Sequence, residues 1–174
     1  MMNNRFFSQL LRFVFIVLLQ VLIFKRLSFS MGGANYMTVL IYPVFIFLLP
    51  HKTPHALLVF LGFVLGLTID VFYDSPGIHA SAAVFTAFVR PLVLSMFEPR
   101  GGYNLNLSPS KKEMGINNFT FYAATLLVVH LLFYFIIEAF SLVYLGDSLL
   151  RTIVSFFPSL VFVIIYQYIF DPKD

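Results

Sequence analysis

Six long apolar runs constrain the fold of this chain more than any other feature of its sequence. They cover residues 7–24, 36–49, 55–73, 78–97, 119–142 and 149–170. A helix needs ~20 apolar residues to cross a bilayer, with a range of about 17 to 25. Five runs reach that length, whereas 36–49 is short and is open to a re-entrant interpretation. We therefore predict one polytopic domain over 1–174, all α-helical, with six transmembrane helices.

The composition supports the same class and excludes several others. Of the 174 residues, 60% are hydrophobic and 11% are charged, whereas soluble domains carry about 25% charged residues. The chain has no cysteine, which excludes disulfides, thiol catalysis and thiolate metal sites. The formal net charge of +3 is too small for a nucleic-acid surface, so we expect membrane lipids as partners and no nucleic acid.

Basic residues predict the orientation, because cytoplasmic loops carry an excess of Lys and Arg. With the N-terminus inside, six basic residues fall on the inner side and three on the outer side. The inner set is Arg5, Lys52, Arg100, Lys111, Lys112 and Lys173, and the outer set is Lys25, Arg26 and Arg151. We therefore predict that both termini are cytoplasmic and that the polar connection 98–118 is a flexible cytoplasmic loop.

A stripe of four residues marks the third run. Gly62, Gly66, Asp70 and Asp74 are each four residues apart, so on a helix they drift by only about 120° and share one face. Small residues let another helix approach closely, and a carboxylate at membrane depth must face protein or water. The stripe predicts a packing or partner-binding face formed by Gly62, Gly66 and Asp70.

A second group of ionisable residues lies at one common depth near the outer side. Its predicted members, which would line the outer mouth of a pocket, are Asp70, Asp74, His79 and Glu138. In a structural interpretation, Asp74 caps the turn into the fourth run and Asp70 bonds to a neighbouring backbone or hydroxyl group. In a functional interpretation, the group contacts a ligand or partner or relays protons. We also expect Arg90 to extend towards the cytoplasmic side.

Motifs for catalysis and metal binding are absent from the sequence. The sequence has no Gly-x-Ser-x-Gly segment, which intramembrane proteolysis by a serine would need. It also has no His-Glu-x-x-His segment, which metal-dependent proteolysis would need. His51 and His55 are separated by a proline that disrupts the helix needed for ligation at that spacing. We predict no catalytic residue, no metal and no cofactor.

The segment from Gly66 to Ala80 carries a family resemblance. A glycine, an Asp at the end of a span and the turn Ser-Pro-Gly-Ile-His-Ala are similar to the pattern of the MreD family, the membrane component of the bacterial rod-shape system (the elongasome). The resemblance extends over essentially the whole chain in length, span number and layout.

The resemblance implies a non-enzymatic scaffold in the bacterial inner membrane. Its implied partners are an MreC-like protein with one transmembrane helix and, indirectly, a RodA-type peptidoglycan synthase with its transpeptidase and an MreB-type filament. The implied fold is similar to the six-helix substrate-binding subunits of energy-coupling factor transporters, with a central cavity open to the periplasm. The basic loop residues Arg100, Lys111 and Lys112 would then face anionic headgroups or the filament.

Two other functions remain open at this point. A small-molecule binding subunit of an uptake transporter would retain a vitamin-sized ligand and bind an ATPase module. A membrane enzyme acting on a lipid-linked cell-wall intermediate would depend on Asp70 or His79.

Overall fold

The computed structural model describes residues 2–31, 34–99, 101–104 and 107–170 of the chain. Five of its helices are long and apolar enough to cross a membrane. The elements are, in chain order, α1 (Met2–Leu22), a 3₁₀ turn (Phe24–Leu27), β1 (Phe29–Met31), β2 (Ala34–Met37), α2 (Val44–Phe47), α3 (His55–Tyr73), α4 (Ile78–Met96), α5 (Lys111–Met114), α6 (Ile116–Ala139), a second 3₁₀ turn (Leu142–Tyr144) and α7 (Leu145–Ile169). The two short strands pair antiparallel.

The five long helices form a closed ring. α1 packs on α3, α3 on α4, α4 on α6 and α6 on α7. The ring closes where Phe15 of α1 meets Tyr166 of α7, with ring centroids 6.5 Å apart. We name the two ends of the ring after residues that lie there: the Asp74 end, where α3 turns into α4, and the Lys111 end, where α5 lies.

The predicted helix over 36–49 is wrong. Apart from the single turn of α2, this run is not helical; it fills the middle of the ring as an irregular segment, residues 38–49, which we call the interior segment. Its aliphatic and aromatic residues from Val39 to Leu49 are each at most 3% exposed. An apolar run reports burial rather than helical structure, and here the burial comes from protein on all sides.

Side chains of the ring satisfy the backbone of the interior segment near the Asp74 end. Gln20 of α1 donates from Nε2 to the carbonyl of Val39 at 3.0 Å. Its Oε1 accepts from the backbone N–H groups of Ile41 at 2.8 Å and Tyr42 at 3.2 Å. Non-helical backbone is tolerated at membrane depth only where protein or trapped water supplies such partners. The interior segment therefore requires the side chain of Gln20.

Arginines hold the other end of the interior segment. Arg90 of α4 is 2% exposed and donates to the carbonyls of Phe47 and Leu49, while Arg12 donates to the carbonyl of Leu48 at 3.3 Å. These carbonyls lie at the C-terminal end of α2, which carries partial negative charge. The guanidinium of Arg90 therefore ends inside the ring, on carbonyls of the interior segment, rather than at a membrane surface.

Replacing Ser159 by alanine tests the role of these side-chain contacts. Ser159 Oγ accepts from the buried N–H of Leu40 at 3.0 Å. Without it that N–H has no partner, so we expect the free energy of unfolding to fall by ~1–3 kcal/mol. Reversible unfolding in mixed SDS micelles measures the loss. Ser95→Ala is the control, because the Ser95 hydroxyl is exposed and bonds only within its own helix; an equal loss in both variants would contradict the assignment.

Candidate functional site

The carboxylate of Asp70 organises the turn between α3 and α4. Asp74 ends α3 in the left-handed region with φ 52°, and Gly77 begins α4 with φ 88°. This turn brings the first N–H groups of α4 back onto the last turn of α3. Asp70 accepts from the backbone N–H groups of Gly77 at 3.1 Å, His79 at 2.9 Å and Ala80 at 3.0 Å. Asp70 thus satisfies donors that a helix N-terminus leaves unpaired.

Two side chains complete the shell of Asp70. The Ser75 hydroxyl lies 3.0 Å from Asp70 Oδ1, and the Nδ1 of His79 lies 3.0 Å from the same oxygen. Of the two interpretations left open by the sequence, the structural one therefore describes Asp70. The same interpretation expected Asp74 to cap the turn into α4. In the structure Asp70 caps α4 instead, and Asp74 donates its backbone N–H to the carbonyl of Asp70.

The imidazole of His79 is polar on one side only. Its Nδ1 lies between Asp70 Oδ1 and Ser75 Oγ, both within 3.0 Å. Because the carboxylate oxygen can only accept a hydrogen bond, Nδ1 carries the proton. Its Nε2 is buried and has no hydrogen-bond partner among the described residues. Three tyrosine rings surround the imidazole, with centroids 4.8 to 5.6 Å from its own: Tyr42, Tyr73 and Tyr134.

Sequence reasoning missed these three tyrosines. Tyr42 lies in the run that was predicted as a helix, so its position inside the ring could not be foreseen. Tyr134 had a usable signal, since it precedes Glu138 by four residues and that spacing places both on one helix face.

The predicted packing face lies against α4. A Cβ added to Gly66 would lie 2.4 Å from Ala80 Cα, and one added to Gly62 would lie 2.9 Å from the carbonyl oxygen of Ala83. The sequence left open whether this face receives a helix of the same fold or of a partner. In the structure a helix of the same chain covers it.

The two remaining predicted members of the outer group, Asp74 and Glu138, have different surroundings. The side chain of Asp74 is exposed. Glu138 accepts from a guanidinium nitrogen of Arg151, which also lies over the ring of Phe135 at 4.6 Å. The structure therefore joins Asp70 with His79, and it pairs Glu138 with a cation of α7.

A second polar chain crosses the ring next to His79. The hydroxyl of Tyr42 lies 2.8 Å from His130 Nε2, and the His130 Nδ1 lies 2.8 Å from Thr86 Oγ1. Thr86 donates its own proton to the carbonyl of Ala82 at 2.7 Å, so it accepts from Nδ1–H and Tyr42 donates to Nε2. Both ring nitrogens of His130 are satisfied, in contrast to His79.

At the Lys111 end, part of the connection 98–118 packs on the ring. His51 Nε2 lies 2.8 Å from Glu113 Oε2, and the His51 ring stacks on Tyr103 with centroids 4.4 Å apart. Burial, and then the nearby Glu113 carboxylate, raise the pKa of Tyr103 to about 12. Of the predicted basic residues, Lys111 lies 4.2 Å from the centre of the Tyr168 ring, Lys112 is exposed, and Arg100 lies outside the described residues.

The Asp70 carboxylate and its partners form hydrogen bonds that join α3 to α4. Within the part of the chain that the structure describes, no three His, Asp or Glu side chains group closely enough to hold a metal ion. The Asp70 carboxylate faces the α4 N-terminus.

The five apolar helices of spanning length define the class of the chain: it is a multi-pass membrane protein. Comparison with protein-family models, with curated proteins and with solved structures finds no match to it.

Proposed function

We propose that this chain is a non-enzymatic scaffold of the bacterial inner membrane, acting in the rod-shape system as a protein of the MreD type. The observation that carries the proposal is that the motif from Gly66 to Ala80 joins α3 to α4. Its glycine brings α3 and α4 into contact, and its Asp70 and His79 bond within the turn between them. A motif that fixes two helices together supports a scaffold better than a reaction centre.

In this proposal the interior segment is a sixth crossing of the membrane. Its contacts run from Gln20 near the Asp74 end to Arg90 nearer the Lys111 end, which supports a path through the whole ring. Six crossings place both termini on one side, and the excess of basic residues assigns that side to the cytoplasm. The proposed similarity to substrate-binding subunits of energy-coupling factor transporters rests on the family resemblance.

The proposed partner is an MreC-like protein with a single transmembrane helix, linked indirectly to a RodA-type synthase, its transpeptidase and an MreB-type filament. Because α4 already covers Gly62 and Gly66, the partner helix would contact outward-facing apolar side chains instead. At the Lys111 end, Lys111 and Lys112 would face anionic headgroups or the filament, where each basic residue contributes about 1 kcal/mol.

Affinity purification tests the proposal. The tagged chain, expressed in a rod-shaped bacterium and extracted in mild detergent, should recover an MreC-like bitopic protein in near-stoichiometric amount. A tagged multi-pass protein of unrelated function is the control for nonspecific membrane contacts. Isolation of a clean monomer without such a partner would contradict the proposal.

The alternative function, a vitamin-type binding subunit, is favoured by one observation, the unpartnered Nε2 of His79 among three tyrosine rings. Against it, the interior segment occupies the middle of the ring with fully buried side chains such as Tyr42 and Phe47. Native mass spectrometry separates the two functions: a vitamin-sized ligand and a bound ATPase module would favour the alternative.

A further inference from the structure

A groove lies on the outward side of α3 at the Asp74 end. Its volume is about 390 Å³, and its lining residues are Leu67, Asp70, Val71, Asp74, Ser75 and Pro76. The groove is open along the surface of α3, so a ligand lying in it would keep one side exposed. The groove adjoins the face of α3 that packs on α4, and Asp70 lies at the border between them.

The groove is apolar along its length and acidic at one end. Leu67 and Val71 are 45% and 72% exposed, one helical turn apart on the same face. The carboxylate of Asp74 closes the end of the groove, and it makes no hydrogen bond or ion pair with any residue that the structure describes. By contrast, the other acidic residue of the lining, Asp70, is 4% exposed and bonded within the turn. Asp74 is therefore the charge that the groove offers to a ligand.

The position of the groove along α3 matches the boundary of a bilayer. The 19 residues of α3 span about 28 Å, close to the ≈ 30 Å of a hydrocarbon core. Asp74 directly follows the last residue of this helix and so lies at headgroup depth. Leu67 lies seven residues earlier, about 10 Å deeper, at the depth of acyl chains.

We propose that this groove binds a phospholipid with a primary-amine headgroup, of the phosphatidylethanolamine type. The acyl chain would lie along Leu67 and Val71, and the ammonium group would donate to Asp74 in a charge-assisted hydrogen bond. The same carboxylate disfavours an anionic headgroup, and the nearby ammonium of Lys25 is already bonded to the carbonyl of Phe72. A quaternary amine has no N–H to donate. The site is independent of the proposed scaffold function.

A basic transmembrane helix is the other occupant with matching chemistry. The observations favour the lipid, since the groove extends only from Leu67 to Pro76 and a packed helix would need a contact along most of α3. A lipid also needs to match only one charge, that of Asp74.

Native mass spectrometry of the full chain tests the site. The protein in detergent is mixed with equal amounts of phosphatidylethanolamine, phosphatidylcholine and phosphatidylglycerol carrying the same acyl chains. We expect about fivefold preferential retention of phosphatidylethanolamine, the factor for one ion pair near a membrane surface. Asp74→Asn should abolish the preference, and it should fold normally because asparagine tolerates the left-handed conformation at this position.

Two further variants sharpen the result. Asp147→Asn, the matched control, removes a carboxylate at the start of α7 and should leave the preference intact. Val71→Phe, which fills the groove without changing charge, should lower total lipid retention. Equal retention of the three lipids, or a preference that survives Asp74→Asn, would overturn the proposal. So would a co-purifying protein that is lost with Asp74→Asn while no lipid preference exists, because the occupant is then a helix.

Discussion

Replacing Asp70 by asparagine is expected to lower the free energy of unfolding by more than about 3 kcal/mol. The carboxylate accepts from three backbone N–H groups of the α4 N-terminus and from two side chains. An amide offers one acceptor oxygen in place of two and turns an NH₂ group towards these donors. Several buried donors then lose charge-assisted bonds, each of which contributes ≈ 1.5–3 kcal/mol.

The matched control for this variant is the same chemical change one turn later. Asp74→Asn removes an exposed carboxylate without hydrogen bonds to the described residues, so its stability should stay within about 0.5 kcal/mol of the parent. Reversible unfolding in mixed SDS micelles compares the two variants. Similar stabilities would mean that Asp70 does not cap α4.

Replacing Gly66 by leucine is expected to have the second large effect, a sharp loss of folded protein. A Cβ at Gly66 would lie 2.4 Å from both Ala80 Cα and the carbonyl oxygen of His79. These neighbours are backbone atoms, so relief requires α3 and α4 to separate by about 1 Å before ordinary contact at 3.4 Å is restored. Overpacking typically costs 1–3 kcal/mol, and a clash with backbone belongs at or above the upper limit.

Folded, monodisperse yield in detergent, read by size-exclusion chromatography, measures this effect. Gly66→Ala should already lower the yield, since the clash begins at Cβ. Gly146→Ala is the control, because a Cβ there meets no atom within 4 Å. Asp74→Asn should also keep its yield. If Gly66→Leu matched these controls, the close contact between the helices would be contradicted.

The long helices could be predicted from the sequence, because each is a continuous apolar run bounded by turn residues. The third run was predicted over 55–73 and is observed as His55–Tyr73. The contact through Gly66 was also foreseeable, since small residues four apart mark one helix face. What could not be foreseen is which helix covers that face, because a local pattern carries no information about the neighbour.

The interior segment shows the limit of sequence reasoning in this chain. Hydropathy measures how apolar a run is, and a run buried by protein resembles a run buried by lipid. The residues that distinguish them are Gln20, Arg90, Ser155 and Ser159, which lie far from the segment in sequence. The acceptors of Arg90 could not be foreseen for the same reason, because they exist only once the interior segment is in place.

The side-chain partners of the interior segment have a consequence for biosynthesis. The N–H groups of Thr38 and Leu40 bond to Ser155 and Ser159, which follow them by 117 and 119 residues. At 5–20 residues per second, these serines are synthesised roughly 6 to 24 s later. Until α7 has been made, those N–H groups lack the partners that the folded ring gives them. The backbone contacts of the interior segment near the Asp74 end are therefore completed only after the last helix of the chain has been made.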